Sequence, residues 1–185
     1  MLALKRSLAG AIALTALALL IYPSTSQAEC GPYGGVGPAG CAAPTVPGPK
    51  AKLVNGVAVA PEGAPPGLKK VIAAANKIRT KPYVWGGGHG RWWDEGYDCS
   101  GPVSYALRGA RLLPSPLDST GLMSWGIPNP GKWITVYANA GHTYAVIAVL
   151  RWDTAGSAKG TGPRWYADTR SAVPGKFVER HPLGY

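Results

Sequence analysis

The sequence predicts an α+β domain, helices first and strands after, with a candidate nucleophile on the second helix and a candidate base on a strand. Three observations predict it. Residues 68–80 repeat apolar side chains at helical spacing. Asp98-Cys99-Ser100-Gly101-Pro102 opens a second apolar, helix-like run. From Lys132 onward, β-branched and aromatic stretches alternate with turn residues.

The first 28 residues read as a secretory signal peptide. Lys5 and Arg6 make the positive start, residues 8–22 are apolar, and Ser26-Gln27-Ala28 places small residues for cleavage after Ala28. The apolar run is short for a span of about 20 residues, so no stable membrane span is expected after processing. Glu29 before Cys30 does not suit a lipoprotein signal. The expected location is therefore secreted or in the cell envelope. Of 185 residues, 19 are Lys or Arg and 9 Asp or Glu, a formal charge of +10. Processing removes two cations and no acid, leaving +8. That charge suits polyanionic surroundings, or simply a basic exported protein. The basic residues are scattered and carry no nucleic-acid motif, so no nucleic-acid partner is expected.

Residues 29–67 are rich in Gly, Pro and Ala and show no sustained period, which predicts a linker or loosely held arm before a domain at 68–185. Within the arm, residues 52–60 read as one short strand or hairpin. Three cysteines are present, Cys30, Cys41 and Cys99. The first two are available to each other, which leaves Cys99 unpaired in an oxidising compartment. An unpaired thiol there is either buried or used. Three histidines and one free cysteine show no metal-ligand spacing, and no cofactor is expected.

Helix 68–80 carries Val71, Ile72, Ala75 and Ile78 on one stripe, with Asn76 and the lysines mostly off it. Lys81-Pro82 ends it. Gly86-Gly87-Gly88-His89-Gly90 lacks the phosphate-loop ending and reads as a wide turn that lets the backbone pass close to a cleft. The second helix is expected from Asp98 to about Leu113. Asp98 is an N-cap residue type, Pro102 fits only near a helix start, and Cys99 falls in the first turn. Unpaired N–H groups there favour a thiolate and would help hold an oxyanion. Residues 114–131 read as loop, and 132–137 as a strand. Asn139 to Gly141 form a turn, and 142–151 read as a central strand apolar on both faces. A strand follows at 162–168, then a short closing segment at 177–182. His142, just after the turn and some forty residues beyond Cys99, is placed to act as its base. His89 is the other base candidate; His181, before a proline, reads as surface or structural.

Pro82-Tyr83-Val84-Trp85-Gly86-Gly87, then Tyr97-Asp98-Cys99-Ser100-Gly101, then Gly141-His142 on a strand resembles the NlpC family of cell-wall cysteine peptidases, over residues 68–168. The resemblance implies a papain-like core, with the nucleophile-bearing helix packed on a small antiparallel sheet, and makes 68–185 the peptidase domain. It implies hydrolysis of peptidoglycan stem peptides, typically between γ-D-glutamate and a diamino acid. Tyr83 would lie near the oxyanion, and Asp98 and Ser100 in the substrate cleft. Trp92 and Trp93 would either stack on glycan or simply pack.

The family's third residue lies about twelve positions after the histidine, here Asp153 or Thr154. Asp153 is preferred, because a carboxylate orients an imidazole and stabilises its charged form. An unbroken strand from 142 to 152 would put Asp153 ~36 Å away at 3.3 Å per residue. A hairpin near Val149 is therefore predicted, although Ala148-Val149-Leu150 has no Gly or Asn. Without it, Asp168 or Asn139 would stand in. Two other readings stay open: a wall-binding protein without turnover, and a thiol amidase or acyltransferase.

Overall fold

The computed structural model describes residues 43–185. The expected signal peptide, Cys30 and Cys41 lie outside the described residues. The fold is mixed α and β, with a six-stranded sheet and a three-stranded one.

The small sheet comes first. β1 (Thr45–Val46) pairs parallel with β3 (Val57–Pro61), and β2 (Lys52–Val54) pairs antiparallel on its other side. Asn55 and Gly56, both at positive φ, turn β2 into β3, as an Asn-Gly hairpin requires. Ala51, Ala58, Ala60 and Ala64 are buried in the same core as the helices. The folded unit therefore takes in residues expected to be linker, and it begins well before Leu68. The small side chains let β3 lie close against α1, so little apolar bulk was needed to fix this segment.

α1 (Pro66–Ile78) starts two residues earlier than expected, with Pro66 in its first turn. Leu68, Val71, Ile72, Ala75 and Ile78 are buried as the stripe required. Asn76 is also buried, contrary to its expected place off the stripe. Its amide bonds the Ala58 N–H and C=O, and its oxygen accepts from Trp165 Nε1, tying β3, α1 and the large sheet together.

α2 (Ser100–Arg108) is shorter than the expected run to Leu113. Arg111 takes positive φ, its N–H bonds Arg108 O, and the Leu112 N–H bonds Leu107 O. That pairing closes a helix in the Schellman manner, here without the usual glycine. The stretch expected to be loop contains α3 (Ser119–Ser124), capped by Asp118 on the Gly121 N–H, and β4 (Ile127–Pro128).

Strands β5 (Ile134–Asn139), β6 (His142–Ile147), β7 (Leu150–Asp153), β8 (Arg164–Tyr166) and β9 (Val178–His181) complete the large sheet. Its order is β4-β9-β5-β6-β7-β8, with every pairing antiparallel. The expected single strand 142–151 is two strands. Ala148 and Val149 form a two-residue turn at φ +48° and +76°, so the predicted hairpin exists without Gly or Asn. Strand periodicity then sorts the side chains. Val136, Ala145, Trp152 and Trp165 share the core face, and Trp152 Nε1 donates to Pro102 O on α2. The register puts Tyr144, Arg151 and Asp153 on the other face with His142. One face of β6 and β7 is thus polar, not apolar on both sides.

Candidate active site

The glycine loop builds one wall of the site. Gly88 has φ +85°, and a Cβ there would collide with the Tyr97 ring and Gly101 Cα. A Cβ on Gly101 would in turn strike the Gly87 carbonyl. The loop backbone can therefore press on the first turn of α2 only because both partners lack side chains. The Asp98 N–H bonds Gly87 O across the same contact.

Asp98 caps α2 as its residue type predicts. Its Oδ1 accepts the N–H groups of Ser100 and Gly101, each at 3.0 Å. Cys99 is helical, at φ −76° and ψ −41°, and half-buried. The capping changes one expectation: two of the N–H groups that were to hold an oxyanion are already engaged. The N–H of Cys99 itself has no hydrogen-bond partner among the described residues and remains for that role.

His142 opens β6 and is buried. Asn139 Oδ1 accepts the N–H groups of Gly141 and His142, which fixes the turn before it. On the ring, Nε2 lies 2.9 Å from Asp153 Oδ1, leaving Nδ1 for the thiol. Burial disfavours the charged imidazole. The hydrogen bond to Asp153 and interaction with Cys99 outweigh that and carry His142 up to about 9. Burial likewise pushes the Cys99 thiol up, but interaction with His142 and the Ser119 hydroxyl prevails and leaves it below its ordinary value. The two shifts favour one state, thiolate beside imidazolium.

Asp153 is almost fully buried, and each oxygen is doubly held. Oδ1 accepts from His142 and the Ala155 N–H; Oδ2 accepts from Arg151 Nη1 and Ser171 Oγ, both at 2.6 Å. Burial alone would raise its pKa, yet the hydrogen bonds from His142, Ser171 and Ala155 keep it low and ionised. Arg151, also buried, is braced by Asp168 on Nε and Nη2 and lies 4.0 Å from the Tyr166 ring. The stand-ins have other tasks: Asp168 holds Arg151, and Asn139 holds the turn.

Burial, then the charges of Cys99 and Asp98, raise the Tyr83 phenol, so it stays a protonated donor. Ser100 and Asp98 line a cleft of about 330 Å³ with Trp85, His89, Cys99 and Ser119. His89 does not reach the thiol as a base among the described contacts. Its Nε2 sits 2.9 Å from both Asp98 Oδ2 and Ser100 Oγ. His181 binds the Asn129 carbonyl, the structural role expected of it. Trp92 packs partly against the core while Trp93 is 56% exposed.

Three contributors were missed. Ser119 Oγ lies 3.5 Å from Cys99 Sγ, and Asp118-Ser119 ahead of Leu122 was a readable helix start. Arg151 and Ser171 left no local signal, because each acts through a partner distant in sequence. No protein-family model matches this chain, and the search of curated proteins returns no relative.

Proposed function

We propose that this chain is an exported cysteine endopeptidase of papain-like design that hydrolyses peptidoglycan stem peptides, with Cys99, His142 and Asp153 as its catalytic residues. The observation that carries the reading is His142 at the start of β6, buried and held 2.9 Å from the buried Asp153 carboxylate, with a Cys99 thiol whose pKa is lowered by interaction with it. The wall substrate rests on the resemblance of the Asp98-Cys99-Ser100-Gly101 and Tyr83-to-Gly87 blocks.

The proposed reaction runs in two stages. The Cys99 thiolate attacks the scissile carbonyl carbon; a C–S bond forms and the π pair moves onto oxygen. The Cys99 N–H and the Tyr83 hydroxyl are the donors available to that oxyanion. As the C–N bond breaks, His142 gives its Nδ1 proton to the leaving amine. Water then attacks the thioester, His142 takes a proton from it, and the thiolate departs. Asp153 holds the ring in one orientation and stays ionised throughout. What supports turnover over binding alone is that His142 has a buried carboxylate behind it. In the test, purified cell wall is incubated with the wild-type protein and with Cys99→Ala, and soluble peptides are identified by mass spectrometry. Release of new amino termini by the wild type only is the expected result. Equal release by both, or none by either, would overturn the reading.

A further inference from the structure

A second hollow, of about 430 Å³, lies where α1 passes the far end of α2, and the proposed reaction does not use it. Lys70, Lys77, Trp92, Trp93, Tyr105 and Arg108 line it, with no Asp or Glu among the lining residues. Arg108 closes the helix that Cys99 opens, about 13 Å along the axis at 1.5 Å per residue.

The aromatic rings are set in place. Trp93 meets Tyr105 at 6.2 Å with a 58° tilt, and Tyr105 in turn meets buried Tyr97 edge-on at 5.9 Å. Arg108 sits 4.6 Å over the Trp92 ring and Lys81 4.6 Å over that of Trp93. Lys70, Lys77 and Arg108 are exposed, and none has an ion-pair partner among the described residues. An exposed Trp beside cations that have no carboxylate partner leaves apolar area and positive charge open to a ligand.

We propose that this hollow binds an acidic polysaccharide. Pyranose rings lie on Trp93 and Tyr105, and their carboxylates meet Lys70, Lys77 and Arg108. The tilt between Trp93 and Tyr105 suits rings laid against successive faces, whereas a flat base could not be sandwiched there. Indole N–H and phenol O–H groups offer polar tips to sugar hydroxyls. The cations select carboxylate-bearing rings over neutral ones. The proposal stands whether or not Cys99 turns over a substrate.

The test titrates the full chain with hexagalacturonate, followed by tryptophan fluorescence and calorimetry. Chitohexaose supplies neutral rings and polyglutamate of equal charge supplies carboxylates without rings. Hexagalacturonate should bind about tenfold more tightly than either control. Trp93→Ala and the pair Lys77→Glu with Arg108→Glu should each lose about tenfold or more, while Trp93→Phe retains binding. Unchanged near-UV circular dichroism and Cys99 alkylation rate show that each variant is folded; if Trp93→Ala is not, the charge-reversal pair decides. Equal binding of polyglutamate, undiminished binding by folded variants, or no binding of hexagalacturonate would each overturn the proposal.

Discussion

His142 and Asp153, eleven residues apart, meet at 2.9 Å because Ala148 and Val149 reverse the chain between them. Continuing the β6–β7 register puts Asp153 across from Tyr144, so it approaches His142 on the diagonal of one sheet face. The turn demands left-handed backbone from an alanine and a valine, and a β-branched residue there carries strain of roughly 1–2 kcal/mol.

That strain is removable. Val149→Gly relieves the β-branched clash, and glycine's extra chain entropy offsets part of the gain, leaving a net stabilisation of about 0.5 kcal/mol or more. Val149 is partly exposed. Urea unfolding should show a higher midpoint with an unchanged slope. A lower midpoint would mean that packing by Val149 outweighs its backbone cost.

The carboxylate behind His142 should matter far more. Asp153→Asn is expected to reduce kcat by about 10²–10⁴-fold with little change in KM, because the ring loses its orientation and the stabilisation of its charge. Asp153→Ala also strips Arg151 of one buried partner and should cost roughly 3 kcal/mol or more of stability. A twofold effect on kcat in the Asn variant would remove Asp153 from the machinery.

Ser171 supplies a milder prediction. Its hydroxyl donates to Asp153 Oδ2 and lies 3.4 Å from His142 Nε2. Ser171→Ala should cost about 1–3 kcal/mol of stability from a buried acceptor left short of a donor. It should also move the alkaline limb of activity expected near 9 through His142, whereas a merely structural loss would leave that limb in place.

The pH dependence of stability has a definite sign. His142 titrates at about 9 in the fold against 6.5 ordinarily; its contribution is complete below 6.5 and is lost as pH rises through about 9. Cys99 is depressed, so its contribution is present above 9.0 and lost as pH falls through its folded value. Where the folded pair is thiolate and imidazolium, folded and unfolded chains each bind one proton between 6.5 and 9.0, and the two slopes cancel. Wild-type stability should therefore be flat there, while Cys99→Ala should lose stability with rising pH. Urea titrations at stepped pH measure both; a flat profile in Cys99→Ala would contradict the coupling of His142 to Asp153.

Alkylation reads the same pair directly. Cys99 should react with iodoacetamide at neutral pH much faster than a model thiol, and His142→Ala should return it towards the model rate. Equal rates in wild type and His142→Ala would show that the imidazole does not activate the thiol.

Much of this was legible in the sequence, and for local reasons. The buried stripe of α1, Asp98 as cap with Cys99 in the first turn, and the glycine loop as a wide turn each depend on residues close together in the chain. Helix periodicity, capping and glycine's freedom are properties of short segments, so short segments report them. Tertiary packing decided the rest. A turn of Ala148 and Val149 has no sequence signature, and it persists because the flanking strands over-determine it. The Arg151–Asp168 brace, Ser171 on Asp153 and the unexpected burial of Asn76 all join residues from different elements. A buried charge or amide is satisfied by whatever the completed fold brings to it, and no local pattern records that partner in advance.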